Sequence, residues 1–154
     1  MDKTDYENCA EFLNDTRKIV VCKDEKSRTE YRYENKALDE LSKYRVDGCL
    51  IKDESGGERC DFLLENCTKK ILYFVELKGS DLTRAVKQIN HSIDVLYGDF
   101  ENEKYAVHAR IVVTRVSVPN LEKNSYFVKL QKKVKKLNGE VKYKAEKYIE
   151  HNSE

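Results

Sequence analysis

Two acids and a lysine stand where a β-hairpin would bring them together: Asp61, Glu76 and Lys78. The stretch from Cys60 to Gly79 holds two runs, 61–65 and 71–78, rich in Phe, Leu, Val and Tyr. Such residues suit a pleated, buried surface. Strand residues two apart point to one face, about 6.5–7 Å apart, so Glu76 and Lys78 share a face. A turn at Thr68-Lys69, or a four-residue loop over 67–70, makes pairing partners sum to 137 and sets Asp61 opposite Glu76. Directly opposed residues carry their Cβ atoms on the same side, about 4.5–5.5 Å apart, and a slip of one residue would part them. Two carboxylates side by side repel unless a cation or a proton lies between them. Carboxylate oxygens with an open position suit Mg²⁺ or Mn²⁺. An amine beside such an ion can orient a water or stabilise charge on a phosphate.

The elements that must position these groups follow from periodicity. The run 71–78 is apolar on both faces until Glu76, the pattern of a central strand covered by helices on both sides. Residues 29–44 read as a first core helix, with Thr29 as N-cap and a stripe of Ala37, Leu38 and Leu41. Helical spacing puts Glu34 in that stripe, with Glu30 one turn earlier, and a buried acid wants a partner. A strand over 44–51 contains Asp47, read as an edge contact, and Gly56-Gly57 marks a turn over 53–58. Residues 80–97 form a second core helix, capped by Ser80 or Asp81 and ended by Gly98. Its apolar face runs Leu82, Ala85, Val86, Ile89, Ile93 and Leu96, flanked by Gln88, with His91 nearby. A strand over 105–114 then lies parallel to 71–78 by a crossover, and Pro119 closes it. A third helix, 123–136, carries a row of Lys129, Lys132, Lys133 and Lys136 opposite Phe127, Leu130 and Val134, and Asn138-Gly139 ends it. Residues 140–148 alternate as one amphipathic edge strand. The acidic segment 1–15, with Phe12 and Leu13 anchoring a short helix, and a short strand over 19–22 read as a lid, an arm or a partner-contact segment.

Composition bounds the rest. The 154 residues suffice for one domain with one core, and the net charge of +1 argues neither for nor against nucleic acid. The apolar runs are too short for a membrane span, and the N-terminus lacks a signal-peptide pattern. Five cysteines, at 9, 22, 49, 60 and 67, form no Cys-x-x-Cys, so reduced thiols in the cytoplasm are expected, with Cys49 and Cys60 as small core residues.

Asp61, followed by Glu76-Leu77-Lys78 at the end of a hydrophobic strand, resembles the PD-(D/E)xK nuclease superfamily over about residues 30–115. Cys60 stands where the motif name has proline. The resemblance implies an α/β fold with a restriction-endonuclease-like core, α-β-β-β-α-β, in which a mixed sheet is flanked by helices. Residues 1–28 would be the arm, 29–115 the catalytic core, and 120–150 a basic helix and edge strand. It implies Mg²⁺ or Mn²⁺ held by Asp61, Glu76, the Leu77 carbonyl and Glu34 (or Glu30), with Lys78 serving the attacking water. Gln88 would reach the site; Ser92 stands where one subfamily has tyrosine. Thr83, Arg84, Lys87 and the third-helix lysines would contact phosphate. The expected activity is endonucleolytic cleavage of nucleic acid, DNA first, in defence, restriction or repair, by a homodimer or a larger complex. A ribonuclease and a catalytically inactive binding or interaction subunit are the alternatives.

Overall fold

The computed structural model describes residues 1–24, 26–52, 59–78, 81–115 and 121–152. Its α-helices are α1 (Lys3–Cys9), α2 (Leu82–Leu96) and α3 (Ser125–Lys136). The strands are β1 (Ala10–Asp15), β2 (Ile19–Asp24), β3 (Thr29–Glu34), β4 (Leu41–Arg45), β5 (Phe62–Asn66), β6 (Ile71–Lys78), β7 (Ala106–Val113), β8 (Val141–Ala145) and β9 (Lys147–His151). They make a six-stranded sheet, β1-β4-β5-β6-β7-β8, and a three-stranded sheet, β2-β3-β9. β4, β5 and β6 run antiparallel, while β6, β7 and β8 are parallel. The molecule is therefore α/β with a mixed sheet flanked by helices.

Alternation along β6 sorts the layers. Leu72 and Phe74 join Leu63, Val107, Ala109 and Ile111 under the apolar faces of all three helices. Tyr73, Val75 and Leu77 face the other way, against Val20, Cys22, Tyr31, Tyr33 and Tyr148 of the small sheet. A buried side chain of this size contributes about 1.5–3 kcal/mol. The second cover of β6 is thus a small sheet where a helix was expected. Side-chain caps start the helices: Asp81 accepts from Arg84 N at 2.9 Å, and Asn124 accepts from Tyr126 N at 2.9 Å.

The segment 29–44 is β3, a turn and β4, not a helix. Thr29, Tyr31 and Tyr33 are buried and alternate with half-buried Glu30, Arg32 and Glu34, so period two prevails over the Ala37-Leu38-Leu41 spacing. Asn35 enforces the break. Its Nδ2 donates to Arg17 O and Asp39 O, and its Oδ1 accepts from Asp39 N. Leu38, expected in the stripe, is exposed and has φ 54°. Residues 1–28 are likewise no loose arm, because β1 is the edge of the large sheet and β2 belongs to the small one. Phe12 and Leu13 lie in β1, and the short helix precedes them. The expected strand over 140–148 is two strands, bent at Glu146 (φ 65°), so that the chain passes from the large sheet to the small one. The turn at 53–58, Ser80 and Pro119 lie outside the described residues.

Cys9 and Cys49 form a disulfide with Cα atoms 5.7 Å apart, which corrects the expectation of reduced thiols for this pair. It removes the thiol argument for the cytoplasm. Loop-entropy reasoning gives a closure of 40 residues about 4 kcal/mol of stabilisation. Cys22 and Cys60 are free and buried, and Cys67 is free and half-buried. Among the described residues no helix is long and apolar enough to cross a membrane.

Gly139 docks the end of α3 onto β7. A Cβ there would fall 1.6 Å from the Val107 carbonyl oxygen, while Val107 N donates to Leu137 O at 3.1 Å. Gly139→Ala is expected to cost about 2–3 kcal/mol, read as a lower urea midpoint at unchanged slope. An unchanged midpoint would mean the connection is free to move aside.

Candidate functional site

The hairpin has the anticipated register. Phe62 pairs with Val75, Leu63 with Phe74 and Asn66 with Ile71, each pair summing to 137. Asp61 precedes β5 by one residue, and its N–H donates to Val75 O at 3.1 Å. Its carboxylate accepts from Leu77 N at 2.9 Å and lies beside Glu76. Glu76 follows the parity of Leu72 and Phe74, so it points to the helix side, and it is only 1 % exposed.

Helix α2 closes this end of the hairpin from above. Gln88 Nε2 donates to Arg59 O at 3.0 Å, and Ser92 Oγ accepts from Cys60 N at 2.8 Å. The two bonds hold the residues just before Asp61. Gln88 Oε1 is buried and has no hydrogen-bond partner among the described residues. A polar atom so placed is costly unless something else meets it.

Asp61, Glu76, Leu77 and Gln88 line one cleft of about 740 Å³. It opens at the carboxyl ends of β6 and β7, where β6 changes from an antiparallel neighbour to a parallel one. Crevices outside the carboxyl ends of parallel strands are where open α/β sheets bind ligands. The far wall is the β2–β3 hairpin tip, with Asp24, Lys26, Ser27 and Arg28, together with Thr114 and Arg115 after β7. Asp24 closes that tip, accepting from Lys26 N at 3.0 Å and Ser27 Oγ at 2.9 Å. Thr114 Oγ1 donates to Ser27 O at 3.4 Å and ties the tip to the end of β7. Asp47 enters the cleft from the turn after β4, held by Arg59 at 2.7 Å.

Burial is the main cause that pushes the Asp61 carboxyl up to about 6. The hydrogen bond from Leu77 N opposes this, and the charges of Asp24 and Asp47 add to it. The cleft therefore carries more negative charge than its desolvated floor favours. A cation bound there would relieve that excess.

The other expected site residues are placed differently. Glu34 ends β3 at the opposite end from the cleft, paired with Ile19 and His151, so the helix that was to carry it to the site is absent. Glu30 lies in the same strand beside Lys23, Arg32 and Lys147. Lys87 sits 4.2 Å over the Tyr126 ring and Lys133 pairs with Asp94. Arg84 and the lysines at 87, 129, 132, 133 and 136 do not line the cleft. Thr83 meets Asn124, and His91 lines a separate cavity near the disulfide. The Lys78 side chain lies outside the described residues; its backbone ends β6 opposite Val113.

Reading the chain alone missed Asp24, Lys26, Arg28 and Arg115, and it left Asp47 as an edge contact. Only the Asp24–Ser27 turn pattern carried a local signal, and that signal was for a turn.

Among the described residues no group of three or more His, Cys, Asp or Glu is assembled as a ready metal cluster. Mg²⁺ does not require one, since it keeps several waters and takes one or two carboxylates. The buried pair Asp61 and Glu76 fits that demand. No protein family, curated protein or solved structure matches the chain.

Proposed function

We propose that this chain is a metal-dependent nuclease that hydrolyses phosphodiester bonds of nucleic acid, with DNA as the favoured substrate. The observation that carries the reading is the meeting of Asp61, Glu76, the Leu77 backbone and Gln88 in one cleft at the strand ends. The run of β4, β5 and β6, then α2, then β7 parallel to β6 supports a restriction-endonuclease-like core. In that core α1 and the β2–β3 hairpin replace the expected first helix.

Asp61 and Glu76 would hold Mg²⁺ or Mn²⁺ together with the Leu77 carbonyl. When bound, the metal supplies positive charge for the phosphate and an acidified water. The chain's own groups do the remaining work. Asp61 must be ionised to act as a ligand. Gln88 fixes Arg59 and thereby the approach of Asp61 to β6. By the resemblance, Lys78 would orient the attacking water. Burial of the acid pair strengthens each of these interactions relative to open water.

The test is a thermal melt with increasing Mn²⁺, run beside cleavage assays on single- and double-stranded DNA and RNA with and without EDTA. At 100-fold excess over Kd the metal should stabilise the fold by about 2.7 kcal/mol. EDTA-sensitive DNA cleavage is the expected companion. Cleavage confined to RNA would make the chain a ribonuclease. No shift, with salt-sensitive duplex binding, would make it a non-catalytic binding module.

The pH dependence follows from Asp61. Its proton competes with the metal, so Mn²⁺ affinity should fall about tenfold per pH unit below about 6 and level off above it. A flat profile from pH 5 to 8 would remove Asp61 from the ligand set.

A further inference from the structure

A second cavity, of about 490 Å³, adjoins the cleft. The two share Asp24, Lys26, Asp47 and Asp61, so these residues lie on the boundary between them. They therefore form one trough that crosses the acids. Beyond the acids on one side stand Arg28 and Arg115, and on the other stand Lys23 and Arg45. Arg28, Arg45 and Arg115 are exposed, and none has an ion pair among the described residues. Lys26, also exposed, belongs to both cavities.

We infer that this trough is a track for the sugar-phosphate backbone of a polynucleotide strand, which passes across Asp61 with phosphates held by Arg28 and Arg115 on one side and Arg45 on the other. The inference rests on the nuclease reading of the same cleft and adds its substrate contacts. The placement explains two features together. Bases flank the acids at both ends, and no basic side chain fills the centre among the described lining residues except Lys26. A strand lying in this way keeps its negative charges over the arginines and presents one bond to the acids. Because the trough continues past the acids in both directions, a chain needs no free end to enter. The β2–β3 hairpin is the wall that carries Arg28, which makes the small sheet part of substrate binding. The lysine row of α3 lies outside the track.

The test measures binding of a labelled 20-nucleotide single-stranded DNA in EDTA, as a function of salt. Each phosphate contact adds about 0.7 to the slope of log K against log salt. The triple variant Arg28→Gln/Arg45→Gln/Arg115→Gln should lose about 2 from that slope, with an unchanged melting temperature. Lys129→Gln/Lys132→Gln/Lys136→Gln should leave it as in the parent chain. A covalently closed circular DNA should compete as well as the linear strand. An unchanged slope in the arginine variant, an equal loss in the lysine variant, a circle that cannot compete, or no binding at all would each overturn the track. The Mn²⁺ melt reads the metal site independently, so loss of the nuclease reading and loss of the track are separate results.

Discussion

Asp61→Asn should abolish divalent-metal-dependent cleavage, by about 10³-fold or more, and should also make the metal-free protein more stable at pH 8. The two effects share one cause. Asparagine keeps an acceptor for Leu77 N, so the backbone bond at 2.9 Å survives. What disappears is the charge. The Asp61 carboxyl titrates near 6 in the fold against an ordinary 3.8, so the folded chain binds this proton more tightly than the unfolded one. The sign follows from linkage: stability is lost as pH rises from about 4 through 6, and the cost is complete above that. About 2 pH units correspond to at most about 3 kcal/mol, and neutral asparagine escapes it. Urea melts at pH 5 and pH 8 in EDTA, with a parallel Mn²⁺ titration, check both halves. A variant less stable than the parent at pH 8, or one that keeps its Mn²⁺ shift, would contradict the assignment.

Glu150→Ala should destabilise the protein by about 3–5 kcal/mol. Its partner Arg110 is only 2 % exposed. Arg110 Nε meets Glu150 at 2.6 Å and Nη2 at 3.3 Å, while Nη1 donates to the Ala109 and Glu140 carbonyls. Tyr31 OH adds a bond to Glu150 at 2.9 Å. Burial is the largest single influence on the Arg110 pKa and works to lower it, but the bond and charge of Glu150, with Tyr31 and Tyr148, together raise it. A guanidinium stays protonated in proteins, so removing the glutamate would leave an uncompensated charge in the core. Arg110 stands on β7 and Glu150 on β9, so the pair also fastens the small sheet, and with it one wall of the cleft, to the large sheet. At about 2–4 °C per kcal/mol the melting temperature should fall by roughly 6–20 °C. Arg110→Met combined with Glu150→Leu should recover most of the loss, because an apolar pair needs no desolvated charge. Failure of the double variant to recover would mean the bonds to Ala109, Glu140 and Tyr31, not the charge, hold the sheets together.

What could be read from the chain alone was local or had a fixed period. The β5–β6 register needed only two apolar runs and a loop length. That was enough to set Asp61 beside Glu76. The crossover from β6 through α2 to β7 followed from a strong apolar face and the handedness of such units. The segment 29–44 misled because two periods overlap in it: Ala37, Leu38 and Leu41 fit a helix, while Tyr31 and Tyr33 fit a strand. The Asn35–Asp39 turn, invisible as a pattern, decides between them. Asp24, Lys26 and Arg28 reach the cleft because the small sheet packs on β6 and β3 pairs with β9 near the other end of the chain, and no local spacing encodes either contact. The Cys9–Cys49 bond is equally non-local, set by where α1 packs.

The bend at Glu146 has a consequence for how the molecule assembles. Asn152 bonds to Asn35 across 117 positions, and β9, which follows β8 in sequence, pairs with β3 in the small sheet while β8 pairs with β7 in the large one. Contacts of that span form slowly, since chain-closure entropy is spent before they reward it. During synthesis, then, Tyr31, Tyr33 and Tyr73 have no finished cover until residues 147–151 have left the ribosome. A chain cut before residue 147 should therefore expose this tyrosine face and be cleaved faster by protease than one that carries β9.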